Sequence, residues 1–271
     1  MSFTVIKGEF VPQAGRPDGD SIRFRPDDPT PLFQLKRRGR PPRISTSTGT
    51  IQLRFEGIDT MESKAATPFS SNATVSNLEL CGVPEGVGTA RGYILTNQIG
   101  PNGRPIAFVY LGDPVEPDGS QVYLNVDRMK ESVNYQQITR GHAYPLFYDT
   151  LFDDLRIALA QAVVETRATR QNIWADDMTN KGAVYSGESS LSTMKPIFPK
   201  LWRRLDKYSR DPDIAHPNHL AEFREYLESL REERVFVVSE GKMTGLDNVV
   251  EIEGDTVKLK YLPEDLIVMS V

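Results

Sequence analysis

The sequence predicts an α+β protein whose first part closes a small β-barrel. Segments with the two-residue period of half-buried strands crowd the first half of the chain. Clear helical periodicity comes later, and clusters of Pro, Gly and Asp separate the strand-like runs. At 271 residues the chain has room for two domains. Its hydrophobic content of 39% and charged content of 25% suit packed cores, and no apolar run approaches the length of a membrane span.

Taken in order, Phe3 to Phe10 reads as extended, Pro17-Asp18-Gly19-Asp20 as a turn, and Ser21 to Arg25 as a second alternating run. Residues 27–47 form a loop rich in proline and arginine. Ile51, Leu53 and Phe55 then alternate with Gln52, Arg54 and Glu56, the period of a half-buried strand. A weaker helical stretch covers 66–80. Strands are expected over 104–111 and 121–126, joined through the turn-rich 112–119 segment. A short helix over 134–140 should stop at Gly141. A long helix over 151–169 carries Leu155, Ile157, Leu159, Ala162 and Val163 on a broad apolar face, and Trp174 closes the segment. After the polar linker 185–190, helices are expected over 199–208 and 219–231, and strands over 234–239, 249–252 and 257–261. Glu253-Gly254-Asp255-Thr256 between the last two reads as a tight hairpin. A five-stranded OB-type barrel with packed helices is the natural candidate for residues 1–180. Residues 186–271 read as a small C-terminal α+β domain without an assignable role.

The net charge of −5 shows no overall attraction to a polyanion, so any phosphate-binding surface must be local. Lys36, Arg37, Arg38, Arg40 and Arg43 form one such basic run. The single cysteine, Cys81, excludes an internal disulfide framework and a thiolate metal cluster, and reads as a small buried apolar residue. The first ten residues lack a basic segment followed by an apolar one, so a cytoplasmic protein is expected; a mature secreted form would read the same way.

The chemistry lies in carboxylates and arginines at strand ends. Asp18-Gly19-Asp20-Ser21 sits at a turn between strands, and Gly57-Ile58-Asp59-Thr60-Met61-Glu62 sits where the strand 51–55 runs out. Carboxylates on separate strand ends can converge on one hard divalent cation. Glu62, three residues beyond Asp59, can serve the same pocket by orienting or deprotonating a water. Arg54 lies on the strand face opposite Ile51, Leu53 and Phe55, and Arg104 opens a strand after the turn 100–103. Guanidinium groups bind phosphate oxygens bidentately and stay charged throughout, so two arginines, a cation and a carboxylate suffice for phosphoryl chemistry. Each signal alone is weak, because an Asp-Gly pair is usually only a turn. Their conjunction and order carry the reading.

The blocks Asp18-Gly19-Asp20-Ser21, Leu53-Arg54 through Gly57-Ile58-Asp59-Thr60-x-Glu62, and Gly103-Arg104 with Ala107-Phe108-Val109-Tyr110 resemble the signature blocks of the thermonuclease (staphylococcal-nuclease-like) family. Val133-Asn134 with Gly141-His142-Ala143-Tyr144, and Gln171-Asn172-Ile173-Trp174, resemble its later segment and its closing helix. The resemblance covers about residues 1–176. It implies an OB-fold barrel and calcium-dependent hydrolysis of DNA or RNA that leaves 3′-phosphate ends. Carried over position by position, it implies Asp20 and Asp59 as calcium ligands, with Thr60 contributing its backbone carbonyl. Glu62 would activate the attacking water, and Arg54 and Arg104 would grip the phosphate.

The sequence departs from the family at Met61, where a proline usually stiffens the turn that aims Glu62. The basic loop 27–47 is longer than the family pattern. Arg37, Arg38 and Arg40 in it are candidate non-specific phosphate contacts, against the alternative of a solvated loop. Phe147 and Tyr148 fall where the family places aromatics beside the nucleotide, and could stack a base or pack against the last helix. His142 reads as structural, and His216 and His219 as a helix start. The expected partners are DNA or RNA, no membrane, and a protein or second copy through the C-terminal domain. The competing function is a nuclease-fold module that binds nucleic acid or protein without cutting.

Overall fold

The computed structural model describes residues 2–65, 67–230 and 234–270. The barrel strands come first: β1 (Ser2–Phe10), β2 (Arg23–Pro26), the short helix α1 (Thr30–Gln34), β3 (Lys36–Arg37), β4 (Ile51–Gln52), β5 (Arg54–Phe55) and β6 (Ile58–Thr60). Helix α2 (Phe69–Leu80) leads to the two longer strands β7 (Ala90–Ile99) and β8 (Pro105–Leu111), then β9 (Gln121–Tyr123), α3 (Val126–Lys130) and α4 (Val133–Thr139). Next come β10 (Ala143–Pro145), β11 (Phe147–Tyr148), α5 (Asp153–Thr169) and α6 (Ile173–Asp176).

The first sheet runs β4-β2-β1-β7-β8-β5, with β3 added parallel to β7 and β9 antiparallel to β1. The two ends of that path, β4 and β5, are consecutive in the chain and separated only by Leu53. The sheet therefore starts and finishes on one stretch of backbone and curls into a nearly closed barrel. The alternation that marked this stretch decides what fills the interior: Ile51, Leu53 and Phe55 are buried with Val5, Ile22, Phe24, Ile94 and Phe108. β7 pairs with β8 out of step between Thr96 and Gln98, leaving Asn97 unpaired in a bulge. Thr96 Oγ1 donates to the carbonyl of Ile106 at 2.7 Å across this irregularity.

The remaining elements are β12 (Ala183–Val184), α7 (Glu188–Leu191), α8 (Pro199–Tyr208), α9 (Phe223–Ser229), β13 (Arg234–Val237), β14 (Lys242–Gly245), α10 (Leu246–Val249), β15 (Val250–Glu253), β16 (Thr256–Leu259) and β17 (Leu266–Val268). One small sheet joins the two expected domains, and another ties the stretch between them to the second. β17 pairs parallel with β11, and β12 pairs antiparallel with β16. The segment expected as a polar linker buries Tyr185, whose hydroxyl donates to the carbonyl of Pro217. Arg167 of α5 forms a fork with Glu264, with both bonds 2.6 Å, and lies over the Trp174 ring at 4.7 Å from its centroid. Among the described residues no helix is long and apolar enough to cross a membrane.

Several boundaries differ from the sequence expectation for identifiable reasons. β7, the longest strand, is not marked by alternation because residues 92–96 are buried without interruption, as in a strand covered on both faces. The strand expected over 121–126 ends at Tyr123, because the Asn125 side chain accepts from the Arg128 N–H and caps α3. The helix expected over 66–80 begins at Phe69, with Ala66 outside the described residues. The helix expected over 219–231 forms only at Phe223–Ser229, with Arg231 likewise outside them. The hairpin at Gly254 is present, with Glu253 opposite Thr256.

Glu264 is 8% exposed, and Arg167 is its ion-pair partner. Arg167→Ala should lower unfolding stability by about 3 kcal/mol, the cost typical of breaking a buried pair. Arg167→Ala/Glu264→Ala should lower it by less than the sum of the single variants. Equal, additive losses in denaturant titrations would show that the two residues are not coupled.

Candidate functional site

The turn that carries Asp18 and Asp20 is held from below by two buried amides. Asn77 of α2 donates through Nδ2 to the carbonyls of Asp18 (2.6 Å) and Ser21 (3.2 Å). Gln137 of α4 donates through Nε2 to the carbonyls of Gly19 (2.7 Å) and Ala73 (2.9 Å). One turn earlier on α4, Asn134 donates to the carbonyls of Glu56 and Ala107 and accepts from the Val109 N–H, joining β5 to β8. Helix α4 thus sets the carboxylate turn and the arginine-bearing strands against one another. Gly19 has no room for a side chain: a Cβ there would stand 2.6–2.7 Å from Ala73 and Thr60.

Between β5 and β6 the chain turns through Gly57, at φ +76°, where a Cβ would also strike Leu159 of α5 at 2.8 Å. This turn delivers Asp59 into β6, opposite Tyr144 of β10. Asp59 is only 2% exposed, and Thr60 beside it is buried. Two groups answer the buried charge of Asp59. Arg54 is one, close enough for Asp59 and Asp20 to hold its guanidinium above its ordinary value although burial works against it.

The other is Arg203, from helix α8. It forks both oxygens of Asp59, Nη1 to Oδ1 at 2.9 Å and Nη2 to Oδ2 at 2.7 Å, and Nη1 also donates to Glu62 Oε1 at 2.8 Å. Burial works against its charge, but Asp59 and Glu62 more than offset that and raise its affinity for the proton. Asp20 shares the neighbourhood. Burial pushes its carboxyl well above the usual carboxylate range, and the charges of Asp18 and Asp59 add to the push while Arg54 opposes it. Burial and the charge of Arg54 weaken the proton hold of Arg104.

Helix α8 is placed by the same strand that faces Asp59. Tyr144 donates its hydroxyl to Asp177 Oδ1 at 2.7 Å, which also accepts from the Thr179 hydroxyl. Thr179 Oγ1 in turn accepts from the N–H of Phe198 at 2.9 Å, at the start of α8. The Phe198 ring meets Tyr144 edge-on, as does Trp174. Leu201, Trp202, Leu205 and Tyr208 bury one face of the helix. Lys200, Arg203, Arg204 and Lys207, at i, i+3, i+4 and i+7, share the other.

That basic face closes a cleft of about 700 Å³. Arg38, Arg54 and Arg104 line it from the barrel side and Lys200, Arg204 and Lys207 from α8, and among the described residues no Asp or Glu lines it. Tyr148 and Gln98 also line it. Among the described residues, neither Arg54 nor Arg104 spends a guanidinium N–H on a hydrogen bond, so both forks are available to an anion in the cleft.

The expected site residues Asp20, Arg54, Asp59, Glu62 and Arg104 thus fall in one charged neighbourhood. Of the basic loop only Arg38 reaches the cleft; Arg37 and Arg40 are exposed outside it. Phe147 is fully buried beside β17 and has no face to offer a base, whereas Tyr148 lines the cleft. His142 is depressed by burial, and its charged neighbours are Arg140 and Glu79 rather than the acidic pair. His216 and His219 bond to different carboxylates, Glu222 and Asp255. Cys81 is buried, with its thiol pushed up by burial.

Calcium does not fit this arrangement. Both Asp59 oxygens are taken by Arg203, and among the described residues no three His, Cys, Asp or Glu side chains converge as a cation cage.

Sequence reasoning missed Arg203 and Glu56. The spacing 200, 203, 204, 207 was the available signal for α8, as the polar complement of its apolar face. Glu56 was counted as the solvent side of a strand, but it is 4% exposed and sits beside Arg54. No protein-family model matches the chain, and a search of curated proteins finds no significant match.

Burial raises the Glu56 carboxyl to about 7 from an ordinary 4.5. A carboxyl raised in the folded state supports folding fully below its unfolded value, and that support is lost as pH rises through the folded value. Wild-type stability should therefore fall between about pH 4.5 and 7 relative to Glu56→Gln. The variant should gain about 3 kcal/mol by pH 8. Denaturant titrations at pH 5 and 8 that move both proteins in parallel would remove Glu56 as the cause.

Proposed function

We propose that the chain is a phosphodiesterase of DNA or RNA on an OB-type barrel of the thermonuclease kind, with its C-terminal helix α8 forming one wall of the substrate cleft. The observation that carries this reading is a cleft whose described lining includes six Lys and Arg side chains, among them the unbonded forks of Arg54 and Arg104, together with Asp59, whose charge acts on Arg54, and Glu62, joined to Asp59 through Arg203. A phosphodiester chain is the ligand class that such a field selects, because each phosphate brings a charge and two non-bridging oxygens matched to a guanidinium fork.

In the reaction, Arg54 and Arg104 hold the non-bridging oxygens and offset the charge that grows on them as water attacks phosphorus. Glu62 takes the proton of the attacking water. Its Oε1 carries the bond from Arg203, and Oε2, which has no hydrogen-bond partner among the described residues, is left for the water. The new O–P bond forms as the P–O5′ bond breaks. The phosphate stays on the 3′ side, and the departing 5′-oxygen takes a proton from solvent. No step is assigned to calcium while Asp59 is held by Arg203.

The second reading, binding without cleavage, is favoured by that same clamp, since it occupies both acidic residues. Digestion of single-stranded DNA and of RNA, with added calcium and with a chelator, separates the two. For the enzyme, wild type should cut, and Glu62→Gln and Arg104→Ala should each slow cutting by about 100-fold or more with unchanged circular dichroism. Retention of an oligonucleotide without cutting would establish the binding module instead.

The role of α8 has its own test. Lys207→Ala should weaken oligonucleotide binding alike at all sequences and reduce the slope of log affinity against log salt by about one. An unchanged slope in fluorescence anisotropy would take α8 out of the binding surface.

A further inference from the structure

We propose that Arg203 is the resident cation of the acidic pair, so that its fork on Asp59 and Glu62 and a divalent ion at the same carboxylates exclude each other. This rests on the reading of Asp59 and Glu62 as the reactive acids, but its test does not depend on cleavage.

Three features support the exchange. First, Asp59 cannot stand uncompensated at 2% exposure, and Arg203 satisfies both of its oxygens in the bidentate geometry specific to a guanidinium. Second, Nη1 is shared between Asp59 Oδ1 and Glu62 Oε1, at 2.9 and 2.8 Å, so one cationic nitrogen serves both carboxylates at once. Third, α8 is anchored through the Phe198 N–H and its buried apolar face, while the Arg203 side chain keeps 29% of its surface exposed. The side chain is thus not sealed into the core, and α8 does not depend on the fork alone for its place. With Arg203 withdrawn, Asp59 and Glu62 present oxygens of the kind a hard divalent cation takes, and Asp20 lies within charge-coupling range of Asp59.

Calorimetric titration of the full chain with calcium chloride, without substrate, tests the exchange. Arg203→Gln should bind one calcium per chain at least tenfold more tightly than wild type. Calcium should then raise the thermal unfolding midpoint of the variant and not of the wild type, and adding Asp59→Asn should abolish both gains. Arg203→Lys keeps a positive charge for Asp59 but loses the fork, and it serves if the glutamine variant does not fold. It should bind calcium at least threefold more tightly than wild type. Equal calcium affinity in wild type and in whichever variant folds would overturn the proposal. Tight calcium binding by the variant without cleavage would sustain the exchange and count against the phosphodiesterase reading. Cleavage unaffected by calcium in every form, with no gain in binding, would do the reverse.

Discussion

A carboxylate buried to the extent of Asp59 costs several kcal/mol unless it is paired and hydrogen-bonded, and much of the architecture around it follows from that requirement. Arg203 meets the requirement with a fork, which fixes where α8 must lie. The helix is brought there by the strand directly opposite Asp59. Tyr144 pairs across from it, passes a hydrogen bond through Asp177 and Thr179 to the first turn of α8, and packs edge-on against Phe198. One cross-strand pair thus sets both the charge and the group that compensates it.

Buried amides on the packed helices hold the other half of the site. Asn77, Asn134 and Gln137 are buried, and each donates to a carbonyl that accepts no backbone N–H among the described residues, those of Asp18, Glu56 and Gly19 respectively. Because those carbonyls belong to the Asp18–Ser21 turn and to Glu56 just after β5, satisfying them also fixes Asp20 and Arg54 in relation to one another. Polar groups in a low-dielectric interior hold position well when fully satisfied, which is what a constellation of like-charged arginines and carboxylates needs.

How much of this was legible in the sequence depends on the range of the interaction. The alternation of Ile51, Leu53 and Phe55 gave the barrel interior and the outward side of Arg54. The short block from Gly57 to Glu62 contains its own turn residue, so the placement of Asp59 and Glu62 beyond it could be read locally. Two things could not. Strand β7 carries no alternation because both of its faces are covered, so periodicity had nothing to report. The clamp joins residues 144 apart in the chain, and the surface pattern of α8 is that of any amphipathic helix until its partner is known. Glu56 failed for a related reason. Its neighbours Gln52 and Arg54 are only partly buried, and its own burial follows from α4 covering that end of the strand, a tertiary fact.

The charge balance argues that the C-terminal region belongs to the site rather than beside it. At −5 the molecule as a whole repels a polyanion, and the barrel side of the cleft alone offers Arg38, Arg54 and Arg104, of which Arg54 is already drawn toward Asp59 and Asp20. The stripe on α8 adds Lys200, Arg204 and Lys207 to the same cleft, while Arg203 on that stripe quiets the two carboxylates nearest to it. Those carboxylates left uncovered would face any incoming phosphate with negative charge. One helix face therefore acts on the local field in two ways, adding positive charge in the cleft and offsetting the negative charge of Asp59 and Glu62. With the Debye length near 8 Å at physiological salt, it is this local field, and not the net charge, that an approaching chain meets.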